Sequence, residues 1–328
     1  MDIKKLSDIA RRIVVSGKGI LAADESAGSI KKRFEKIGVE STEENRRSYR
    51  EMLFTTPGME KFISGVILFD ETIRQKSSQG IDFPRLLADK GIIPGIKVDK
   101  KTFPLALFPG EEITEGLDGL RARLNEYFEL GARFSKWRAV INIGEGIPTN
   151  ECLEANAHAL ARFAAFSQEA GLVPVVEPEV LMDGDHTIER CRAVTEQTLR
   201  IVFAQLKKYR VELEGMLLKP NMVISGKECS FQASTVEIAK ETVDCFKVSV
   251  PKEVPGIVFL SGGQSPDEAT RTLEAINSLG KQPWELSFSY GRALQSEALN
   301  TWGGKVGNVK IAQEVFYQRA EKVAKARG

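Results

Sequence analysis

Histidine is almost absent from this chain, which has only His158 and His186 among its 328 residues. Catalytic zinc sites usually take two or three imidazole ligands, so this scarcity argues against a zinc-dependent enzyme. His158 lies in the apolar stretch "ANAHALARFAAF", whose pattern is typical of a helix. We therefore expect His158 to be a packed core residue rather than a metal ligand.

Cysteines and long apolar runs are scarce as well. The four cysteines, Cys152, Cys191, Cys229 and Cys245, show neither a CxxC motif nor metal-ligand spacing, which predicts reduced thiols in a cytoplasmic protein. No apolar run approaches the roughly 20 residues that cross a bilayer. The opening stretch "MDIKKLSDIARRIV" predicts an amphipathic helix over about residues 3–15 rather than a signal peptide. No membrane partner is expected.

An excess of charge of one sign is also lacking. The 46 Lys and Arg residues are balanced by 45 Asp and Glu residues, a net charge of +1, so no bulk attraction to nucleic acid or an anionic membrane is expected. A small anionic substrate needs only a local site and stays compatible with this balance. Because the chain is 42% hydrophobic and has no low-complexity linker, residues 1–328 are predicted to form a single globular domain.

Eight short apolar runs recur along the chain, separated by segments of helical periodicity. The runs are "GILAAD", "ISGVILFD", "GIIPGIKVD", "ARFSKWRAV", "LVPVVEPEV", "LEGMLLKPN", "GIVFLSGG" and "ELSFSYGRA". Strands that alternate with helices indicate βαβ units and a parallel sheet. Eight such units predict an α/β protein with the (β/α)₈ TIM-barrel fold.

Charged residues lie toward the C-terminal ends of these predicted strands. Residues two apart on a strand share a face, and the charges form three such pairs and two single positions: Lys97 with Asp99, Lys136 with Arg138, Glu177 with Glu179, then Asp24 and Lys219. The C-terminal end of a (β/α)₈ barrel carries the active site. If the shared face is the barrel lumen, the positive and negative charges balance there, as buried charges require.

Two simpler interpretations of these charges stay open. They could be structural ion pairs that fill the lumen, or the strand parity could be wrong, so that some of them face the surrounding helices. A barrel lumen is normally filled with Val, Ile and Leu. The complete set of charges therefore favours a functional site.

Two lysines close together in a site that excludes water suggest covalent chemistry. A lysine with its ordinary pKa of ~10.4 is protonated and not nucleophilic. Burial and a neighbouring ammonium group lower the pKa of an amine and allow it to attack a ketone. Lys219 would be the nucleophile and Lys136 the neighbouring cation. Glu177 would shuttle protons as the carbinolamine loses water, and Asp24 would take the hydroxyl proton as a carbon–carbon bond breaks.

The segment "FLSGGQSPDEATRTL" has the features of an anion site. Gly262 and Gly263 let the backbone approach an anion, and Ser265 with Glu268 predicts a capping box at a helix N-terminus, which attracts negative charge. This is the seventh run, and the eighth ends in "SYGRA", which brings Arg292 to the same corner. An ordinary turn would explain the glycine pair equally well, since neither a G-x-G-x-x-G after a strand nor a Walker A motif is present.

The first loop, "DESAGSIKKRFEKIG", offers a second anion corner. Ser26 and Ser29 come before a helix that carries Lys32 and Arg33. We expect the two corners to lie on opposite sides of the barrel mouth, where they would suit a substrate phosphorylated at both ends.

Ordered motifs span nearly the whole chain. They are "GKGILAADES", "TEENRR", "GIKVDK", "KWR", "VPVVEPE", "DGDH", "LEGMLLKPNMV", "FLSGGQS", "SFSYGRAL" and "WGGK". Together they strongly resemble the class I fructose-bisphosphate aldolases. The resemblance implies a (β/α)₈ barrel, usually a cytoplasmic homotetramer, that cleaves fructose 1,6-bisphosphate reversibly and needs neither a metal nor another cofactor. Its partners would be small phosphorylated sugars.

The resemblance also assigns roles to individual residues. It makes Lys219 the Schiff-base lysine, Glu177 the proton-transfer glutamate, Asp24 the aspartate that acts on the C4 hydroxyl, and Lys136 the lysine beside the imine. The phosphate of the dihydroxyacetone half would contact Ser261, Gly262, Gly263, Ser289 and Arg292. The other phosphate, or further substrate atoms, would contact Ser26, Ser29, Arg33, Lys97 and Arg138.

The sequence departs from the family at its end. Animal and plant members continue into a flexible tail that ends in tyrosine, whereas this sequence ends "RAEKVAKARG". The tail is implicated in proton exchange at the ketone-phosphate carbon and in preference for the bisphosphate over the monophosphate. Both properties therefore stay open for this chain.

Two other functions stay open at this point. A lysine-dependent barrel aldolase could act on another phosphosugar, such as tagatose bisphosphate or a seven-carbon bisphosphate. A scaffold protein could keep the fold and only bind partners, but it would be expected to have lost Lys219 or Glu177.

Overall fold

Ten strands lie within residues 2–328, the part of the chain that the computed structural model describes. They are β1 (Gly19–Ala22), β2 (Ile63–Leu68), β3 (Ile93–Lys97), β4 (Thr102–Pro104), β5 (Glu112–Thr114), β6 (Phe134–Ile141), β7 (Val173–Val180), β8 (Leu217–Leu218), β9 (Gly256–Phe259) and β10 (Glu285–Tyr290). Eight of them pair in parallel and close in the order β1, β10, β9, β8, β7, β6, β3, β2. Each predicted apolar run supplies one barrel strand, so the predicted (β/α)₈ fold is confirmed. The antiparallel hairpin of β4 and β5 was not predicted.

Helices surround the barrel and cover one of its ends. They are α1 (Ile3–Ile13), α2 (Ala27–Glu35), α3 (Glu43–Phe54), α4 (Asp70–Ile73), α5 (Phe83–Asp89), α6 (Leu120–Glu129), α7 (Asn150–Glu169), α8 (Ile188–Lys208), α9 (Thr235–Ser249), α10 (Pro266–Ser278), α11 (Arg292–Trp302) and α12 (Val309–Lys325). Short 3₁₀ turns lie at Met59–Lys61, Leu213–Gly215 and Val306–Asn308. Within residues 2–328, none of the helices is both long enough and apolar enough to cross a membrane.

Local capping explains where several of these helices begin. The Ser265 hydroxyl accepts from the Glu268 backbone N–H, and the Glu268 carboxylate accepts from the Ser265 N–H in return. This confirms the predicted capping box of α10, with Pro266 in the first helical turn. Thr149 caps α7 in the simpler way, through its side chain alone.

The predicted N-terminal helix is α1, which closes the N-terminal end of the barrel. Its buried face carries Leu6, Ile9, Ala10 and Ile13, and these side chains belong to the same apolar cluster as lumen residues of the strands. The helix ends at Ile13, slightly before the predicted boundary. The opposite end of the barrel remains open.

The lumen changes from apolar to charged along the strands. Phe134 fills its lower part, and a Cβ on Gly95 would lie 2.3 Å from the Phe134 ring, so only glycine leaves room there. Lys136 and Arg138 have the same strand parity as Phe134, and both line the open end of the barrel. The predicted strand parity is therefore confirmed.

One prediction about histidine is wrong. His158 is exposed on α7 rather than packed in the core, and its Nε2 lies 2.7 Å from the hydroxyl oxygen of Tyr209. Alanines flank it on both sides, and small residues of this kind do not define which side of a helix is buried. All four cysteines are free thiols, as predicted.

Candidate active site

A cavity of about 550 Å³ opens at the C-terminal ends of the barrel strands. Thirteen of the predicted site residues line it: Asp24, Ser26, Ser29, Arg33, Lys97, Lys136, Arg138, Glu177, Lys219, Ser261, Gly262, Ser289 and Arg292. Gly263 is the exception, since it lies beside the cavity against Met182. Residues from all over the sequence therefore meet in one place.

Four charges form the centre of the cavity, three of them buried and the fourth, Asp24, partly buried. Lys136 Nζ lies 2.8 Å from Asp24 Oδ2 and 3.0 Å from Glu177 Oε2. Lys219 Nζ lies 3.2 Å from the other oxygen of the same carboxylate, Glu177 Oε1. Glu177 therefore bridges the two lysines and keeps their ammonium groups close together.

Strand geometry explains how these side chains meet. Arg138 is in register with Glu177 on neighbouring strands β6 and β7, and Lys136 is two residues earlier on the same face. Lys219 directly follows the two-residue strand β8, and its N–H donates to the carbonyl of Val176 at 2.8 Å. Pro220 then ends the ladder, because proline has no N–H.

Neighbouring charges and burial shift the pKa values of these groups in opposite directions. Burial alone would raise the pKa of the Asp24 carboxyl, but the ammonium groups of Lys136 and Lys219 outweigh it and hold this pKa well below its usual range. In Glu177, too, burial would raise the pKa of the carboxyl, but the charges of Lys136 and Lys219 outweigh it and lower this pKa. Burial would lower the pKa of Lys136, but the carboxylates of Asp24 and Glu177 raise it. At neutral pH Lys136 is therefore a stable cation between two carboxylates.

Glu177 keeps one free proton-accepting position despite its two lysine neighbours. Its Oε2 is within ion-pair distance of Lys136, yet accepts no well-aligned hydrogen bond from any of residues 2–328. A lone pair is therefore available for a proton from a bound molecule.

On one side of the cavity, two cations already hold a carboxylate each. Lys97 is paired with Asp99, and Arg138 with Glu179. We call Lys97 and Arg138 the β3–β6 corner, after the strands that carry them. An anion that bound here would have to compete with these two carboxylates.

Across the barrel lies a second group of anion-binding candidates, Ser261, Gly262, Ser289 and Arg292, which we call the β9–β10 corner. Ser289 Oγ is buried and has no hydrogen-bond partner among residues 2–328, while Arg292 is exposed at the cavity wall. A buried hydroxyl without a partner is costly, and an anion at this corner would supply one.

The glycine loop of this corner rests on Met182. A Cβ on Gly262 would lie 2.6 Å from Met182 Cε, and one on Gly263 would lie 2.4 Å from Met182 Cγ. Gly263 also has a φ of +78°, which other residues rarely adopt. Both glycines are therefore required for the loop to pack in this conformation.

The first loop lies beside the β9–β10 corner rather than opposite to it, so the predicted placement is wrong. Strand β1 pairs with β10 in the closed barrel. A Cβ on Gly291 would lie 4.0 Å from Arg33 Nη2, which brings Arg33 to the junction between Ser289 on β10 and Arg292 at the start of α11. The prediction failed because it ignored the closure of the last strand onto the first.

Sequence reasoning missed a buried network behind Arg33. Glu25 accepts from Arg33 Nη1 at 2.5 Å, from Arg50 Nη2 at 2.6 Å and from Gln295 Nε2 at 3.0 Å. The available signal was Glu25 itself, directly after Asp24, together with the arginines of α3. Spacing could not reveal that these segments meet.

The comparison with known families decides the identity of the chain. A family model described as fructose-bisphosphate aldolase class-I matches residues 5–328. The chain belongs to the class I fructose-bisphosphate aldolase family. The resemblance noted in the sequence motifs is thereby confirmed.

Individual members of the family resemble this chain over nearly its full length. A protein named probable fructose-bisphosphate aldolase class 1 from Xanthomonas campestris is 60% identical over 98% of this chain and 97% of its own. The cytosolic fructose-bisphosphate aldolase 6 of Arabidopsis thaliana is 55% identical over 97% of this chain and 88% of its own.

A solved structure resembles the fold almost completely. It is the fructose-bisphosphate aldolase of Plasmodium falciparum, in complex with TRAP and a small-molecule inhibitor, with a TM-score of 0.98 and 51% identity. The match covers 99% of this chain and 94% of that one. Within residues 2–328, no three His, Cys, Asp or Glu side chains are grouped so that they could hold a metal ion.

Proposed function

We propose that this protein cleaves fructose 1,6-bisphosphate reversibly into dihydroxyacetone phosphate and glyceraldehyde 3-phosphate, through an imine on Lys219. The observation that carries the proposal is the contact of one carboxylate, Glu177, with both Lys136 and Lys219, at 3.0 and 3.2 Å. Family members with 53–60% identity that are named fructose-bisphosphate aldolase support it.

Imine formation starts from the contact between Lys219 and Glu177. Glu177 takes a proton from the ammonium group, and the free amine attacks the C2 carbonyl of the sugar to give a carbinolamine. Glu177 then returns a proton to the carbinolamine hydroxyl, which leaves as water and produces the iminium. Lys136 stays protonated throughout and stabilises negative charge that develops on the C2 oxygen.

Bond cleavage uses Asp24. Its carboxylate takes the proton of the C4 hydroxyl as the C3–C4 bond breaks, and the bonding electrons move into the iminium, leaving an enamine on Lys219. Glyceraldehyde 3-phosphate departs as the aldehyde. The enamine gains a proton at C3, and water then hydrolyses the iminium to release dihydroxyacetone phosphate. Asp24 forms an ion pair with Lys136 at 2.8 Å, and this ion pair weakens when Asp24 becomes protonated.

The two phosphates would occupy the two corners of the cavity. The β9–β10 corner, with Gly263, would hold the phosphate of the dihydroxyacetone half, and the β3–β6 corner would hold that of the aldehyde half. The position of Arg33 beside Gly291 favours the first phosphate as its partner. Ser26 and Ser29 would contact the sugar or the second phosphate from the start of α2.

We further propose a homotetramer that acts in the cytoplasm without a metal or other cofactor. Membership of the class I family supports all three statements, and a relative named cytosolic supports the location. Light scattering of the purified protein should give four times the chain mass. A monomeric mass at working concentration would contradict the tetramer.

The decisive experiment is reduction of the imine. Borohydride added with dihydroxyacetone phosphate should inactivate the protein, and peptide mass mapping should find the adduct on Lys219. EDTA should leave activity unchanged, and Lys219→Met should give no adduct. An adduct on another lysine, or activity that depends on added zinc, would contradict the mechanism. Parallel assays with tagatose bisphosphate and a seven-carbon bisphosphate would define the substrate range.

A further inference from the structure

Arg50 is a buried arginine with unused hydrogen-bond donors. It lies on α3 with only 3% of its surface exposed, and its Nη2 donates to Glu25 Oε2 at 2.6 Å. Its Nε and Nη1 are shielded from solvent and have no hydrogen-bond partner among residues 2–328. Unpaired donors on a buried cation are unfavourable, so this arrangement calls for an explanation.

The acceptor of Arg50, Glu25, is held in place from several directions. Its Oε1 accepts from Arg33 Nη1 at 2.5 Å and from Gln295 Nε2 at 3.0 Å. Gln295 is itself fixed, because its Nε2 also donates to the Ala22 carbonyl at 2.6 Å and its Oε1 accepts from the Tyr49 hydroxyl at 2.9 Å. The carboxylate therefore has a rigid, buried frame.

Arg33 is the most exposed member of this group. Its side chain is 22% exposed, against 3% for Arg50 and 7% for Glu25. It lines the cavity and reaches the loop at Gly291. The same guanidinium can therefore bind either Glu25 or an anion at the β9–β10 corner.

A change of partner by Arg33 would leave Glu25 in a difficult position. The carboxylate would lose a charged partner while buried and close to a phosphate of the same sign, which is unfavourable in a medium of low polarity. Only a second cation in contact with Glu25 can compensate. Arg50 is in contact already and has two donors to spare.

We infer that Arg50 is a positioning residue that retains Glu25 when a substrate phosphate draws Arg33 away. One of the two unused donors, Nε or Nη1, then pairs with the carboxylate oxygen that Arg33 has released, so that Arg50 holds Glu25 through a two-donor fork. The group of Arg33, Arg50 and Glu25 carries one net positive charge, which favours an anion in the cavity. This inference rests on the proposed phosphate site at the β9–β10 corner.

A double-mutant experiment on phosphate binding tests the inference. The dissociation constant of inorganic phosphate is measured by calorimetry for the wild type, Arg50→Met, Glu25→Gln and the double variant. Arg50→Met should weaken binding about 10- to 100-fold, because Glu25 then keeps Arg33 for itself. Glu25→Gln releases Arg33, so the double variant should bind phosphate within about threefold of Glu25→Gln alone.

The controls separate this role from a purely structural one. Arg327→Met removes another buried arginine, at the closed end of the barrel, and should lower the unfolding temperature without changing phosphate affinity. Arg50→Lys keeps the charge but not the forked donors. It should weaken phosphate binding by a few fold, and Glu25→Gln should restore it. This second pair keeps the test decisive if Arg50→Met does not fold.

Two results would overturn the inference: wild-type phosphate affinity in Arg50→Lys and Arg50→Met, or a double variant as weak as Arg50→Met. A structure with bound phosphate should show Glu25 still bonded to Arg50 and Gln295 but no longer to Arg33, and a Glu25 still paired with Arg33 would also count against the inference. Cleavage of fructose 1,6-bisphosphate is assayed in parallel. If Arg50 and Glu25 are coupled in phosphate binding but the protein does not cleave the sugar, only the proposed function is refuted. If the protein cleaves the sugar but the two residues are not coupled, only the role of Arg50 is refuted.

Discussion

The two corners of the barrel mouth differ in how their anion-binding groups are occupied before substrate arrives. At the β3–β6 corner, Lys97 and Arg138 are each paired with a carboxylate. At the β9–β10 corner, Ser289 Oγ is buried without a partner among residues 2–328, and Arg292 is exposed at the cavity wall. The cations of the β3–β6 corner are neutralised by carboxylates of the protein, whereas the β9–β10 corner offers groups that an anion can bind.

Because of this difference, we expect the β9–β10 corner to bind phosphate tightly and the β3–β6 corner to exchange it easily. A phosphate at the β9–β10 corner gains new hydrogen bonds with little competition, so this corner should fix the position of the sugar. A phosphate at the β3–β6 corner must displace Asp99 and Glu179, so its net gain is smaller. This asymmetry suits an enzyme that releases the aldehyde phosphate first and the ketone phosphate afterwards.

The largest effect is expected from Glu177→Gln, which removes the proton-transfer group that lies between the two corners. Imine formation should slow by about 10²- to 10⁴-fold, the usual contribution of a positioned acid–base group. The affinity for phosphate should change little. The rate at which a borohydride-trappable imine appears with dihydroxyacetone phosphate measures the first effect. Glu179→Gln, two residues along the same strand face, is the matched control and should form the imine at the wild-type rate.

The next largest effect is expected on substrate KM, from replacing one arginine at each corner. Arg292→Ala should raise the KM for dihydroxyacetone phosphate in the condensation direction by about 10- to 100-fold, since a hydrogen bond to a charged group contributes roughly 1.5–3 kcal/mol. Arg138→Ala should raise the KM for glyceraldehyde 3-phosphate by less, because Arg138 already holds Glu179. A larger effect from Arg138 than from Arg292 would reverse the comparison.

A smaller effect, of opposite sign, is expected from Glu179→Gln. Removing the competing carboxylate frees Arg138 and should lower the KM for glyceraldehyde 3-phosphate by a few fold, in line with the ~0.2–1 kcal/mol of a partly exposed ion pair. The KM for dihydroxyacetone phosphate should stay unchanged and serves as the internal control. A rise in the KM for glyceraldehyde 3-phosphate would mean that Glu179 positions Arg138 rather than competing with phosphate.

The smallest effect concerns stability against pH. Asp24 and Glu177 have lowered pKa values in the fold, so their contribution is complete above their ordinary pKa of about 4 and is lost as pH falls toward the lowered values. The raised pKa of Lys136 gives a contribution that is complete below about 10.5 and is lost as pH rises further. The unfolding temperature should therefore show a plateau between these limits, and Glu177→Gln should flatten its acidic side by a few degrees. An unchanged acidic slope would contradict the pairing.

Much of this arrangement follows from the two-residue period of a strand. That period predicts that Lys136 shares a strand face with Arg138, and Glu177 with Glu179, and glycine with a capping serine indicates the loop before α10. These predictions succeed because they depend on neighbours within one element. They needed no knowledge of which elements meet.

The parts that sequence could not predict depend on contacts between distant segments. Glu25 and Arg50 are bonded across 25 residues of sequence, and neither carries a local signal of that pairing. The predicted position of the first loop, which carries Arg33, is wrong because the closure of β10 onto β1 is a property of the whole barrel. His158 was misjudged because alanine tolerates both the buried and the exposed side of α7.

The pairing of the first barrel strand with the last has a consequence for protein synthesis. Ile20 pairs with Ser289, and roughly 270 residues of chain must be translated between them, which takes on the order of 10–60 s at ~5–20 residues per second. During that interval one edge of β1 has no strand to pair with, and an unpaired edge invites association with other chains. Substitutions that weaken this seam should therefore reduce the yield of folded protein in cells before they affect the turnover of the protein that does fold.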